Sequence, residues 1–167
     1  AGIELQLERF DALSRETPLV ASIRPSGSFQ MEEFREAGGI PAVLRELLPL
    51  LHGDALTVTG KTVSENLAGE PASSRRDVVS TFAEPFAPEG GLAILRGDLA
   101  PDGAVIKHAA ASPHLLQHRG RAVVFSSVDD MMRRINDPSL DVTADDVLVL
   151  RNAGPIGGPG MPEAGLI

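Results

Sequence analysis

The hydrophobic pattern changes part-way along this chain, and that change limits the folds open to it more than any other feature. Before about residue 70 apolar residues recur at helical spacing, whereas after residue 91 they come in short unbroken runs. Ile3, Leu7, Phe10 and Leu13 or Ser14 share one helical face, so residues 4–15 predict a short amphipathic helix that ends before Pro18. Pro25-Ser-Gly27 is turn chemistry. A second helix is expected over Met31–Glu36 and is broken by Gly38-Gly39. Pro41 suits the first turn of a third helix, because the N–H it lacks would have no partner there. Ile40, Val43, Leu44, Leu47 and Leu48 form the apolar stripe of that helix. Residues 55–59 read as a brief strand or loop, and Val63–Leu67 as a further helix.

Residues 69–91 hold charges, serines and three prolines without sustained periodicity, which makes them the best candidate for a domain boundary. Beyond them Leu92-Ala-Ile-Leu-Arg96, Ala104-Val-Ile-Lys107, Arg121-Ala-Val-Val-Phe125 and Val147-Leu-Val-Leu-Arg151 are bounded by Gly, Asp or Pro and read as strands. Ser127 followed by Asp130 marks a helix start, with Val128, Met131, Met132 and Ile135 as its buried face and Asp137-Pro138 as its stop. The second part is therefore expected to be mainly β with one or two helices.

Composition removes several classes of function. A net charge of −8 argues against a nucleic-acid surface, since neutralising phosphates needs clustered Lys and Arg. The basic doublets Arg75-Arg76 and Arg133-Arg134 fit solvated faces. No apolar run approaches the roughly 18 residues of a membrane span, and the first residues do not resemble a secretory signal. With no cysteine, the chain offers no disulfide, thiolate ligand or thiol nucleophile. Without Trp or Tyr it also lacks stacking platforms for bases.

Most motif-like groupings have plain structural readings. Gly60-Lys61-Thr62 would need another Gly five positions earlier to form a phosphate loop, and position 55 is Ala. A loop that presents Lys61 to a substrate, or that starts a helix, fits better. Of the four histidines, His114 and His118 have the spacing of one helical face, but Pro113 and Leu115 flank His114 where a zinc protease needs Glu after it. His52-Gly-Asp54 suits a hydrogen-bonding loop. Asp129-Asp130 and Asp145-Asp146 fit helix starts or exposed faces better than paired catalytic carboxylates. Residues 154–163 differ. They hold four glycines and three prolines, then the single carboxylate Glu163, a hard oxygen ligand suited to Mg²⁺ on a conformationally restricted loop.

That loop, Gly154-Pro-Ile-Gly-Gly-Pro-Gly-Met-Pro-Glu163, is similar to the Gly-Pro-x-Gly-x-Pro-Gly-Met-x-Glu segment of the dihydroxy-acid/phosphogluconate dehydratase family. Pro25-Ser-Gly27, Met31-Glu32, Ala37-Gly-Gly-Ile-Pro41, His52-Gly-Asp54, Thr57-Val-Thr-Gly-Lys-Thr62, Glu65-Asn66 and Gly97-Asp-Leu-Ala-Pro101 with Gly103-Ala104 resemble the same family in the same order. Ala109-Ala-Ala-Ser-Pro113, Gln117-His-Arg-Gly-Arg-Ala122 and Met161-Pro-Glu-Ala-Gly165 look most like its aldonate branch, which acts on arabinonate or xylonate. The branched-chain amino-acid enzyme is the alternative, and a non-catalytic swivel-domain binding module is another.

The resemblance implies an α/β N-terminal domain followed by a mainly β, swivelling, barrel-like C-terminal domain. Residues 1–70 would be the end of the first, 71–90 a linker, and 91–167 the first part of the second. It further implies a cytoplasmic, homo-oligomeric hydro-lyase that takes a small-molecule sugar acid to a 2-keto-3-deoxy acid with an iron–sulfur cluster, expected as 2Fe–2S, and Mg²⁺. Partners would include neither nucleic acid nor membrane. Glu163 matches the family's Mg²⁺-ligand glutamate. The cluster cysteines and the other Mg²⁺ ligands, a modified lysine among them, are expected upstream of Ala1, and the base serine beyond Ile167. On that reading no catalytic or cluster-binding residue lies within this chain, and the piece alone is expected to be inactive.

Overall fold

The structure, a computed structural model, describes residues 4–153. The chain forms two compact units, Ala1–Leu116 and Gln117–Ile167. In the first, helix α1 (Leu7–Glu16) sits close to the expected span. Its polar face fastens it to a hairpin: the Asp11 carboxylate accepts the Ile94 N–H at 2.9 Å, and the Ser14 hydroxyl donates to the Leu92 carbonyl at 2.7 Å. Its apolar stripe is only half covered, with Phe10 48% exposed.

Helices α2 (Met31–Glu36) and α3 (Gly39–Glu46) follow one another across the Gly38 turn. The Gln30 N–H at the start of α2 donates to the Glu33 carboxylate at 2.9 Å, which satisfies a donor the helix cannot use. The buried residue of α3 is Ala42 rather than the larger members of the expected stripe, and Ile40 faces outward at 60% exposure. Val43 packs at the edge of the core. The core of this unit is Phe34, Ala37, Ala42, Val78 and Val79, with Ala21, Ile23 and Phe29 against it. Residues 71–90 form no helix or strand, yet Val78 and Val79 are fully buried there. They are held by irregular pairings: Ser22 N–H to the Val78 carbonyl, Ser80 N–H to the Val20 carbonyl, and the isolated bridge of Ala21 with Val79.

Helix α4 (Val63–Leu67) precedes that segment, and strands β1 (Ala93–Gly97) and β2 (Ala100–Ile106) follow it as an antiparallel hairpin. Strand β2 begins earlier than its apolar run because it includes Pro101. A two-stranded hairpin has open edges, where a residue with no N–H breaks no ladder.

The second unit is a β–α–β unit. Strands β3 (Ala122–Phe125) and β4 (Val147–Leu150) pair in parallel, Ala122 opposite Val147 and Phe125 opposite Leu150, with α5 (Val128–Arg134) between them in sequence. The Ser127 hydroxyl accepts the Asp130 N–H at 3.1 Å, the cap expected from sequence. Phe125 and Met131 are fully buried, and Ile135, Leu140, Leu148 and Leu150 close around them and Val123. Met132, expected on the same face, is 52% exposed.

Mixed helix and strand are thus present as expected. The described residues, however, form two two-stranded sheets and no closed barrel; those after residue 91 hold four strands and one α-helix, as expected for a mainly β part. Closing a sheet on itself takes more strands than these.

Candidate active site

Two clusters of polar residues occupy positions from which chemistry can be supported, one in each unit. The first is the loop between residues 52 and 66. Its backbone folds back on itself: Thr57 N–H donates to the Lys61 carbonyl at 2.9 Å, Gly60 N–H to the Thr57 carbonyl at 3.1 Å, and Ser64 N–H to the Gly53 carbonyl at 2.9 Å. Gly60 sits at φ +78°, a left-handed conformation that glycine adopts without the clash a Cβ brings. Side chains tie the turn further. The Thr57 hydroxyl donates to the Lys61 carbonyl at 2.8 Å and accepts from Asn66 Nδ2 at 2.8 Å, while the Thr59 hydroxyl donates to Asn66 Oδ1 at 3.0 Å. Asn66, nine residues away, therefore closes the loop from the first turns of α4.

Thr62 and Glu65 form a reciprocal cap. Thr62 N–H donates to the Glu65 carboxylate at 2.7 Å, and Glu65 N–H to the Thr62 hydroxyl at 3.2 Å. The hydroxyl that a phosphate loop would turn toward a metal is used here to start a helix, so Gly60-Lys61-Thr62 is a helix entry. Lys61 remains exposed on a turn with little freedom. His52 contributes its carbonyl, which accepts the Ala55 N–H at 3.0 Å.

The second cluster lies at the end of the parallel pair where both strands finish. Ser126 follows β3, and its N–H and hydroxyl reach the Asp130 carboxylate at 2.9 and 3.2 Å. Arg134 bonds the same carboxylate at 3.0 Å, donates to the Val124 carbonyl at 3.1 Å, and lies over the Phe125 ring. The Ser126 N–H first, and Arg134 after it, hold the Asp130 carboxyl below the usual carboxylate range. From β4, Asn152 returns to this point. It has φ 55°, and its Nδ2 donates to the Ser126 carbonyl at 2.8 Å. Asn is among the few non-glycine residues that adopt that conformation readily. An Asn just before a glycine-rich segment is a signal that sequence inspection passed over.

Asp146 is an ion-pair residue, not half of a catalytic dyad. Arg121 grips its two oxygens at 3.0 and 2.9 Å and also reaches Asp141 at 2.8 Å. These bonds, with the Thr143 N–H at 2.8 Å, hold the Asp146 carboxyl far below the usual range and raise the Arg121 pKa in return. His114 stands in a three-residue turn, Pro113–Leu115, so no helix carries it onto a face with His118. His118 meets the Asp145 carbonyl instead, at 2.9 Å.

Glu163 lies outside the described residues. Among the described residues no three acidic or histidine side chains converge as a metal site, and the chain has no cysteine for a cluster. The described residues do not by themselves fit either group.

Comparison with known proteins decides the family. The profile described as dihydroxy-acid/6-phosphogluconate dehydratase N-terminal matches residues 1–66, and its C-terminal counterpart matches residues 77–167. The chain belongs to the dihydroxy-acid/6-phosphogluconate dehydratase family. It is 46% identical over 166 residues to the L-arabinonate dehydratase of Rhizobium leguminosarum bv. trifolii, covering 98% of this chain and 28% of that protein. With the L-arabonate dehydratase of Azospirillum brasilense the identity is 49% over 169 residues, again 98% of this chain and 28% of the relative. The dihydroxy-acid dehydratase of Moorella thermoacetica is 44% identical over 165 residues, 98% of this chain and 29% of that protein. The chain thus spans under a third of the length of these curated relatives. Among the described residues no helix is long and apolar enough to cross a membrane.

Proposed function

We propose that this chain is part of a cytoplasmic, homo-oligomeric hydro-lyase that dehydrates an aldonate to a 2-keto-3-deoxy acid. The observation that carries this reading is the match to both halves of one dehydratase family together with the identity to relatives named for arabinonate. Residues 1–70 are read as the end of the N-terminal domain, 71–90 as the join, and 91–167 as the opening of the C-terminal domain. The reaction removes the C2 proton and the C3 hydroxyl of a 2,3-dihydroxy acid as water, and the enol left behind becomes the 2-keto acid. An iron–sulfur cluster and Mg²⁺ would supply the Lewis acidity.

Within this chain Glu163 is assigned as one oxygen ligand to Mg²⁺, with the remaining ligands, the cluster cysteines and the base serine in other parts of the protein. Lys61, exposed on a turn fastened by Asn66, suits the charge of a substrate carboxylate. The test is turnover by the full-length protein loaded with iron, sulfide and Mg²⁺. A pentonate should yield a 2-keto acid. Turnover of 2,3-dihydroxy-isovalerate alone would transfer the assignment to the branched-chain enzyme, a reading favoured by the 44% identity to the Moorella protein. Inactivity on both would leave a binding module. Glu163→Gln should raise the Mg²⁺ concentration needed for half-maximal rate while the cluster absorption stays unchanged, and an unchanged requirement would remove Glu163 from the site.

A further inference from the structure

The Pro25-Ser-Gly27 turn holds a polar atom that the fold leaves unmatched. Ser26 Oγ is buried and has no hydrogen-bond partner among the described residues. A buried hydroxyl without a partner is costly and uncommon, so it marks a place where something else supplies the bond. The backbone of the turn is closely packed. A Cβ on Gly27 would come within 2.3 Å of the Ser22 carbonyl carbon, and the Gly27 N–H is tied to the Ile23 carbonyl at 2.8 Å.

Ser26 lines a cavity of about 400 Å³ whose titratable side chains among the described residues are Arg24 and Lys107, with no carboxylate among them. That balance is unusual in a chain of net charge −8. Arg24 uses Nε on the Ser28 carbonyl at 3.3 Å; its two terminal nitrogens and the Lys107 ammonium make no bond among the described residues. Leu19, Met31 and Leu92 supply apolar wall. The volume falls within the range of small-molecule sites.

From this juxtaposition we propose that the cavity is a binding site for a small aliphatic carboxylate. The guanidinium and ammonium take the carboxylate oxygens, a rotation of the Ser26 side chain brings its hydroxyl to donate to one of them, and the carbon chain lies on Leu19, Met31 and Leu92. A polyhydroxylated acid fits poorly, because its hydroxyls would lose water against that wall without gaining partners. The assignment does not rest on the dehydratase reading.

The test is calorimetric titration of the full-length protein with pentanoate, with 1-pentanol and inorganic phosphate as controls. Pentanoate should bind and both controls should bind far more weakly. Arg24→Gln and Lys107→Gln should each weaken pentanoate by about tenfold or more. Ser26→Ala should weaken it too, yet raise the unfolding temperature of the ligand-free protein by removing the unmatched hydroxyl. Absence of pentanoate binding, or binding unchanged in the Arg24→Gln/Lys107→Gln double variant, would overturn the proposal. So would equal displacement by arabinonate at its KM, which would make the site the sugar acid's own.

Discussion

Met131 and Met132 are neighbours on α5, and the structure assigns them opposite fates. Met131 is fully buried between the parallel strands and the helix, in a core whose buried members are Val123, Phe125 and Met131 itself. Truncation to Ala removes most of a buried side chain and leaves a cavity, a change worth about 2–5 kcal/mol. A small core rarely supplies more than about 3–5 kcal/mol, so Met131→Ala should leave the second unit near the edge of its stability. Met132, 52% exposed, should cost below about 1 kcal/mol when truncated in the same way. Amide hydrogen exchange on the full-length protein separates the two. In Met131→Ala, protection at residues 122–125 and 147–150 should collapse while residues 20–23 and 78–80 keep theirs. Met132→Ala should match the parent at both places. Equal loss in the two variants would refute the packing assigned to α5, and loss in both units together would refute their separate cores.

Three further outcomes follow from the hydrogen-bond geometry. Asn66→Ala removes its bonds to the Thr57 and Thr59 hydroxyls and should speed exchange of the Thr57 and Gly60 amides; if the loop presents Lys61 to substrate, KM should rise while the cluster absorption is unchanged. Gly60→Ala should cost about 1–2 kcal/mol from its left-handed φ alone, since no described atom beyond its chain neighbours lies within 4 Å of the added methyl, whereas Gly27→Ala meets the backbone of Ser22 and should cost more; paired denaturation curves compare them. Because the folded-state pKa of Asp146 is lowered, its stabilisation is present above the ordinary carboxylate pKa of about 3.9 and is lost as pH falls through the depressed folded value. Asp146→Asn should therefore be less stable at neutral pH and show a shallower loss of stability on acidification below about pH 4, as followed by circular dichroism.

What could be read from sequence depended on whether the information was local. The start of α5 was legible because its cap is local, Ser127 to Asp130. Strands β1, β3 and β4 were legible because each is a short apolar run with a marked end. Ala42 was not, since an apolar stripe points to the largest residues, while the close approach of α3 to the core selects a small one. Val78 and Val79 were hidden by the charges of Arg75, Arg76 and Asp77 beside them, and they are buried through irregular bridges that leave no periodic trace. The candidate sites divided in the same way. The loop's motif was visible, but its closure by Asn66 depends on a hydrogen bond spanning nine residues. The orphaned Ser26 hydroxyl is a property of burial, which a turn motif does not encode.

The parallel pairing of β3 and β4 gives the second cluster its meaning. Parallel strands finish on the same edge, and in open α/β sheets that edge is where ligands gather, because loops leave it together. Here the Asp130 carboxylate accepts the Ser126 N–H after β3, Arg134 braces Asp130, and Asn152 ties the exit of β4 to the Ser126 carbonyl. Each bond is modest alone, but all three act on one point. Asn152 is thereby tied to the turn that follows Phe125, a fully buried side chain of its unit. Removing the Asn152 amide and removing the Met131 side chain should accordingly impair the same function by different routes, one sparing the core and one not. On the proposed reading of Glu163 as a Mg²⁺ ligand, its carboxylate would need such an origin, since a displacement of about 1 Å in a supporting group is enough to spoil a site.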